Sequence, residues 1–134
     1  MSSKKFMAAK GRRSGGLFIA FPRVVLRAPE LSSLSPYAAK LMLDLLAQLN
    51  VGEGGTSNNG DQAMAWRLME KRNWRSRATL EKARKELMEK GIIVLTRQGG
   101  RNRPSLYGFT FFAINECGGK LEAPPTKTPP KRWG

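Results

Sequence analysis

Residues Arg75 to Gly91 carry a full set of helix punctuation, and that set constrains what the rest of the chain can do. The Ser76 hydroxyl can cap an N-terminus, and Leu80, Ala83 and Leu87 recur at the spacing of one helix face. Gly91 can take the left-handed conformation that ends a helix. Two strand-like runs follow, Ile92–Thr96 and Leu106–Phe111, both rich in β-branched and aromatic side chains. Between them, Gln98-Gly99-Gly100-Arg101-Asn102-Arg103-Pro104 reads as a turn with glycine for backbone freedom and arginine for charge. A helix and a hairpin with cations at their exposed tips suit the gripping of a polyanion.

Upstream, Ser35-Pro36 signals a helix start: a hydroxyl to cap, then proline where its missing N–H does no harm. From Tyr37 to Leu49, the residues Ala38, Leu41, Met42, Leu45 and Leu49 form an apolar stripe, widened by Leu43 and Leu46. Lys40, Asp44 and Gln48 form the polar stripe of this predicted central helix. Residues 51–60 read as a loop. Asp61 is the expected N-cap of a second helix, Gln62 to Arg72, burying Ala65, Leu68 and Met69. Asn73 can stop that helix in the left-handed region, and Trp74 is expected to pack the turn.

The flanks read differently. Residues 1–16 hold Lys4, Lys5, Lys10, Arg12 and Arg13, with no acid, and are expected to form a flexible basic arm. Residues 17–26 are expected as an extended segment or short turn against the core. Residues 113–134, with Pro124-Pro125 and Pro129-Pro130, read as a mostly disordered tail. The expected organisation is an arm, a domain over 17–112, and a tail. The fold class is mainly α with a small β-hairpin.

Lys and Arg number 24 against 10 acids, a formal charge of +14. Self-repulsion of that size disfavours the compact state, and a polyanionic partner offsets it. The chain has no histidine, which removes His-based zinc sites, Ser-His-Asp catalysis and the usual activator of a catalytic thiol. The aspartates Asp44 and Asp61 fall in different predicted elements, so no acidic cluster offers itself to a hard metal ion. Neither enzymatic function nor a metal or cofactor is expected. The single Cys117 fits a reducing, cytoplasmic compartment and reads as structural or incidental. Leu17 to Leu26, broken by Pro22 and Arg23, is too short to span a membrane and lacks the cleavage site of an export signal.

Two helices joined by Asn73-Trp74-Arg75 fit a helix-turn-helix, whose second helix lies in the DNA major groove. Opposite Leu80, Ala83 and Leu87 lie Ala78, Lys82, Lys85 and Glu89, with Arg77 and Glu81 on one shoulder. Base edges are met by the N-terminal part of such a helix, so Arg77, Ala78, Glu81, Lys82 and Lys85 are the base-reading candidates. Lys71, Arg72 and Arg75 are placed for phosphates. Arg97, Arg101 and Arg103 at the hairpin have no acid near them in sequence and can lie along the backbone or enter the minor groove. The alternatives are a solvated face with a Glu81–Lys85 ion pair and a hairpin tip that merely protects an edge strand. Trp66 and Trp74 can be stacking platforms for single-stranded bases, but they fit core or half-core positions better.

In their order along the chain, Leu34-Ser35-Pro36-Tyr37-Ala38, Asn59-Gly60, Trp74-Arg75-Ser76 through Thr79-Leu80, Lys85-Glu86-Leu87, Gly91-Ile92-Ile93 and Tyr107 resemble bacterial winged helix-turn-helix proteins. The likeness is to small proteins of phages, plasmids and integrated elements, and to the DNA-binding domains of their replication initiators. It covers about residues 18 to 112. It implies a three-helix core plus wing, a recognition helix from Arg77 and double-stranded DNA as partner. Asn73 stands where the family usually has glycine, and the loop at 51–58 is longer than usual. Larger initiators carry a second domain, so the resemblance favours a transcriptional regulator or replication accessory factor in the bacterial cytoplasm, associated with the nucleoid. A monomer or a weak DNA-assisted dimer is expected. Two other readings remain: an adaptor or inhibitor that meets a protein partner through tail or wing, and an RNA or single-strand binder.

Residues 1–16 have no apolar period with which to pack, only unopposed cations that steer toward phosphates. Their removal is expected to leave the melting temperature unchanged and to slow DNA association, measured by stopped-flow at low salt.

Overall fold

Caps act over three or four residues, and those at Ser35 and Ser76 fall where the sequence puts them. The Ala38 N–H donates to Ser35 Oγ at 3.3 Å, opening helix α3 (Pro36–Leu46). The Thr79 N–H donates to Ser76 Oγ at 3.2 Å, opening α5 (Arg77–Glu89), and Gly91 follows its end with φ 69°. Asn73 takes φ 73° between α4 (Trp66–Lys71) and α5. The computed structural model describes residues 17–52 and 54–134. The basic arm with Lys4, Lys5, Lys10, Arg12 and Arg13 lies outside them.

Short helix α1 (Arg23–Leu26) stands within the 17–26 stretch expected as an extended segment or short turn, and α2 (Pro29–Ser32) follows it before α3. α3 packs along α5, and the two are also tied by hydrogen bonds. Ser35 donates its N–H to Glu86 Oε2 at 2.8 Å and its hydroxyl to Glu86 Oε1 at 2.6 Å. Ala38, Leu41, Met42, Leu45, Leu46 and Leu49 of the apolar stripe are buried as expected, with Leu41 and Leu45 fully enclosed, whereas Leu43, expected to widen it, is exposed. The polar stripe differs from the expectation, because it too faces protein. Asp44 is buried, and Gln48 clamps one residue from both sides. The Ala63 N–H donates to Gln48 Oε1, and Gln48 Nε2 donates to the Ala63 carbonyl, both at 2.8 Å.

That clamp marks a correction to the predicted second helix. Gln62–Ala63 is a strand, β3, rather than helix, and α4 begins only at Trp66, with Ala65 at its N-cap. Asp61 caps nothing; its carboxylate takes Lys120 Nζ at 3.1 Å. The cause is Gly60, whose φ of 119° only glycine adopts readily, and which aims the chain antiparallel to β5 (Leu106–Phe109). The shortened α4 buries Met69 and leaves Leu68 exposed.

The sheet is therefore three-stranded, in the order β3-β5-β4, with β4 at Ile93–Arg97. A second small antiparallel pair, β1 (Val51–Gly52) with β2 (Gly55–Thr56), lies in the loop after α3. Helices with two small antiparallel sheets make this an α+β fold, with more strand than the single hairpin expected.

Residues 113–134, expected as a mostly disordered tail, are bonded to the sheet along their length. All four residues of β5 are buried, so both its faces are covered. The register of β4 on β5 slips between Leu95 and Arg97, which leaves Thr96 outside the ladder. The Thr96 carbonyl instead accepts the N–H groups of Glu122 and Ala123 at 2.9 and 3.0 Å. Ile114 is buried over Gly108, where an added Cβ would come within 2.7 Å of the Ile114 Cδ1. Farther on, Lys131 N–H donates to the Thr110 carbonyl, and Trp133 meets Phe111 edge-on at 6.3 Å. A few apolar anchors and freed backbone acceptors thus outweigh the proline-rich composition.

Asn59 joins this strap to the sheet. Its Nδ2 donates to the carbonyls of Phe109, Phe112 and Ala113, and its Oδ1 accepts the Phe109 N–H at 2.8 Å. Its own N–H donates to Asn115 Oδ1 at 2.7 Å. With Asn59 fully buried, Asn59→Ala leaves several polar groups unpaired, and a loss on the order of 3 kcal/mol is expected. Denaturant unfolding followed by circular dichroism measures it.

Candidate nucleic-acid interface

The turn between α4 and α5 is organised by one carboxylate. Asp44 on α3 accepts from Lys40 Nζ at 2.7 Å, Arg72 Nε at 3.0 Å and Trp74 Nε1 at 2.7 Å. Lys40 Nζ also donates to the Arg72 carbonyl at 2.7 Å and lies 5.1 Å from the Trp74 ring centroid. Trp74 is buried and Tyr37 leans on it from the solvent side. With the turn fixed, α5 leaves it in one direction, its Leu80, Ala83 and Leu87 stripe buried.

The base-reading candidates Arg77, Ala78, Glu81, Lys82 and Lys85 are all exposed, on the side of α5 away from that stripe. Arg77 stacks on Trp66, its guanidinium carbon 5.2 Å from the ring centroid, which holds its head beside the start of the helix. Trp66 is half-buried against the core and Trp74 is buried, so neither is an open stacking platform. Glu81 pairs with Arg84 rather than Lys85. Arg84 Nε and Nη2 donate to its two oxygens at 2.9 and 2.6 Å. That bond holds the Glu81 carboxyl below its ordinary value, against burial, and Lys85 is left without an ion pair among the described residues.

The phosphate candidates divide. Lys71 and Arg75 are exposed and make no ion pair among the described residues, whereas Arg72 is half engaged by Asp44. Arg67, exposed on α4 next to Trp66, adds a cation that the sequence reading passed over. Its exposure follows from the register that buries Met69.

The hairpin arginines are less free than their sequence neighbourhood implies. Arg97 is half-buried and donates to the Pro104 carbonyl at 3.0 Å, bracing the hairpin from inside. Arg103 meets Glu122 of the strap at 3.4 Å and donates to the Gln98 carbonyl, so an acid does lie nearby. Arg101 alone of the three is exposed without an ion pair among the described residues. No residue near it in sequence signals the Glu122 contact, which spans 19 positions.

Cys117 sits in a short 3₁₀ turn, Cys117–Gly119, with its thiol 3.8 Å from the Asn59 carbonyl and its pKa raised, chiefly by burial. Among the described residues no group of three His, Cys, Asp or Glu side chains is gathered to hold a metal ion, and no helix is long and apolar enough to cross a membrane.

Comparison with known proteins adds little to this geometry. No protein-family model and no curated protein matches the chain. A solved structure described as "Structure of Rep-DNA complex" is similar with 21% identity and a TM-score of 0.45, over 71% of this chain and 75% of that one. At that score the likeness fixes neither fold nor partner.

Asp44 and Glu86 make the turn and the α3–α5 contact sensitive to acid. Burial opposes the charge of Asp44, but its bonds from Lys40, Trp74 and Arg72 outweigh it and lower its pKa. The Ser35 hydroxyl does most to lower that of Glu86, against burial, with the Ser35 amide and Lys90 adding to it. Lowered folded values mean stability that is complete above the ordinary values of 3.8 and 4.5 and lost as pH falls through the folded ones. The melting temperature is therefore expected to stay level down to about pH 5 and to fall below about pH 4. Asp44→Asn is expected to melt lower at neutral pH and to lose less on acidification, measured by thermal melts across that range.

Proposed function

We propose that the protein is a winged helix-turn-helix domain that binds double-stranded DNA with sequence preference. In this reading α5 is the recognition helix and the β4–β5 hairpin the wing. It acts by binding rather than by chemistry, as a transcriptional regulator or replication accessory factor of a phage, plasmid or integrated element in the bacterial cytoplasm.

One observation carries the reading. Arg75 and Arg77 lie at the start of α5, no acid occupies its first turn, and Lys82 and Lys85 continue the exposed face. The positive end of a helix dipole disfavours each such cation by roughly 0.3–1 kcal/mol at the surface. Among the described residues no carboxylate answers Arg75 or Arg77, Arg77 has only the Trp66 ring beside it, and a phosphate backbone would supply the missing anion. Lys71 and Arg75 then set the register on phosphates, while Arg77, Lys82 and Lys85 reach guanine O6 and N7. Glu81, held by Arg84, can accept from cytosine N4, and Ala78 can touch a thymine methyl. Arg101 is the free cation of the wing, and Arg103 is oriented by Glu122.

Duplex affinity is expected to fall steeply with salt, as for about six to ten neutralised phosphates. Arg77→Ala or Lys82→Ala is expected to cost on the order of 1–3 kcal/mol on a selected site and to relax base preference there. Lys71→Ala should weaken all duplexes alike. Selection from random duplexes followed by titration at several salt concentrations tests both, and an affinity insensitive to salt rules out the reading.

A further inference from the structure

A second cationic surface lies away from the first half of α5. The start of the domain and the last residues of the strap enclose an open groove of about 560 Å³. Arg23 and Arg27 line one wall, Lys131, Arg132 and Trp133 the other. The acid on this lining, Glu30, is already answered by Lys131 Nζ at 3.3 Å. Arg23, Arg27 and Arg132 are exposed and make no ion pair among the described residues. Trp133 offers no stacking face to a base, because Lys131 covers its ring at 4.8 Å and Phe111 meets it edge-on. What remains is a set of donors on two walls, which suits a run of phosphates better than a single compact anion.

The location separates this groove from the proposed reading surface. The Lys131 side chain lies over Gly91, just past the C-terminal end of α5, where an added Cβ would be 3.6 Å from its Cδ and Nζ. The thirteen residues of α5 put its two ends about 20 Å apart. The groove past the C-terminal end of α5 is thus a surface separate from the one that carries Arg77 and Lys82 near its start.

We propose that this groove binds the phosphate backbone of a second duplex segment, without reading its bases, so that one molecule bridges two segments of DNA. The inference rests on the duplex binding proposed above and adds a second site to it.

The full chain is mixed with a duplex of about 12 base pairs, long enough for one major-groove site. Bound stoichiometry is read by native mass spectrometry and sedimentation at low salt. Wild type is expected to take up two duplexes. Arg23→Ala with Arg27→Ala is expected to bind the first unchanged and the second about tenfold more weakly, with a salt slope lower by about two. Lys120→Ala with Lys127→Ala removes the same charge from exposed strap positions outside the groove and is expected to keep both. A single duplex on wild type, or equal weakening by the two double variants, overturns the bridging inference while leaving the reading helix intact. Failure of wild type to bind any duplex overturns the DNA reading itself.

Discussion

Taking a carboxylate out of water costs several kcal/mol unless its lone pairs are filled by donors in good geometry. Asp44 meets that condition with an ammonium, a guanidinium and an indole N–H, drawn from α3 itself, the end of α4 and the turn after it. Each donor is thereby fixed as firmly as the charge it satisfies. Trp74 cannot leave without taking a hydrogen bond from a buried anion, and the turn it packs is the one from which α5 departs. The exposed cations of α5 therefore inherit their placement from a residue that touches none of them. Removal of the carboxylate frees the turn, whereas loss of a surface cation changes only the surface.

A second organising centre, Asn59, works through amide geometry instead of charge. A buried carboxamide offers two donors and two acceptor sites, and the bonds it makes here are to backbone groups of β5 and the segment just after it. The strand and the strap are thus held in one register by a side chain from the loop before β3. The Thr96 bulge supplies the other attachment, because a residue displaced from a ladder keeps a carbonyl free for another chain segment. Together they explain why an irregular, proline-rich segment lies flat against a sheet.

The parts of the fold legible in the sequence are those whose cause and effect lie within one helical turn. Ser35, Ser76, Asn73 and Gly91 act on neighbours three or four residues away, and the helix ends they signal are found. The buried faces of α3 and α5 follow from periodicity in the same way. β3 was hidden because its partner in β5 is more than forty residues distant, and Gln62-Ala63 fits a helix turn as well as a strand by composition. Asp44 looked like a solvent-facing member of a polar stripe because its donors Arg72 and Trp74 come from 28 and 30 residues downstream. At the candidate interface, exposure on α5 could be read from spacing. The choice of Arg84 over Lys85 as the partner of Glu81 could not, since three and four residues are equivalent separations on a helix. The strap's hold on Arg103 through Glu122 left no local trace at all.

The strap also sets an order on how the domain can be completed during synthesis. β5 becomes a strand covered on both sides only when residues 113–134 have docked, laying Ile114 over Gly108 and Trp133 against Phe111 just past the strand. Until then the chain presents the outer side of Leu106–Phe109 and the unpaired Thr96 carbonyl to its surroundings, next to a sheet edge that accepts strands. The face of β5 and the Thr96 carbonyl thus stay open to mispairing until residues 113–134 have docked on the sheet.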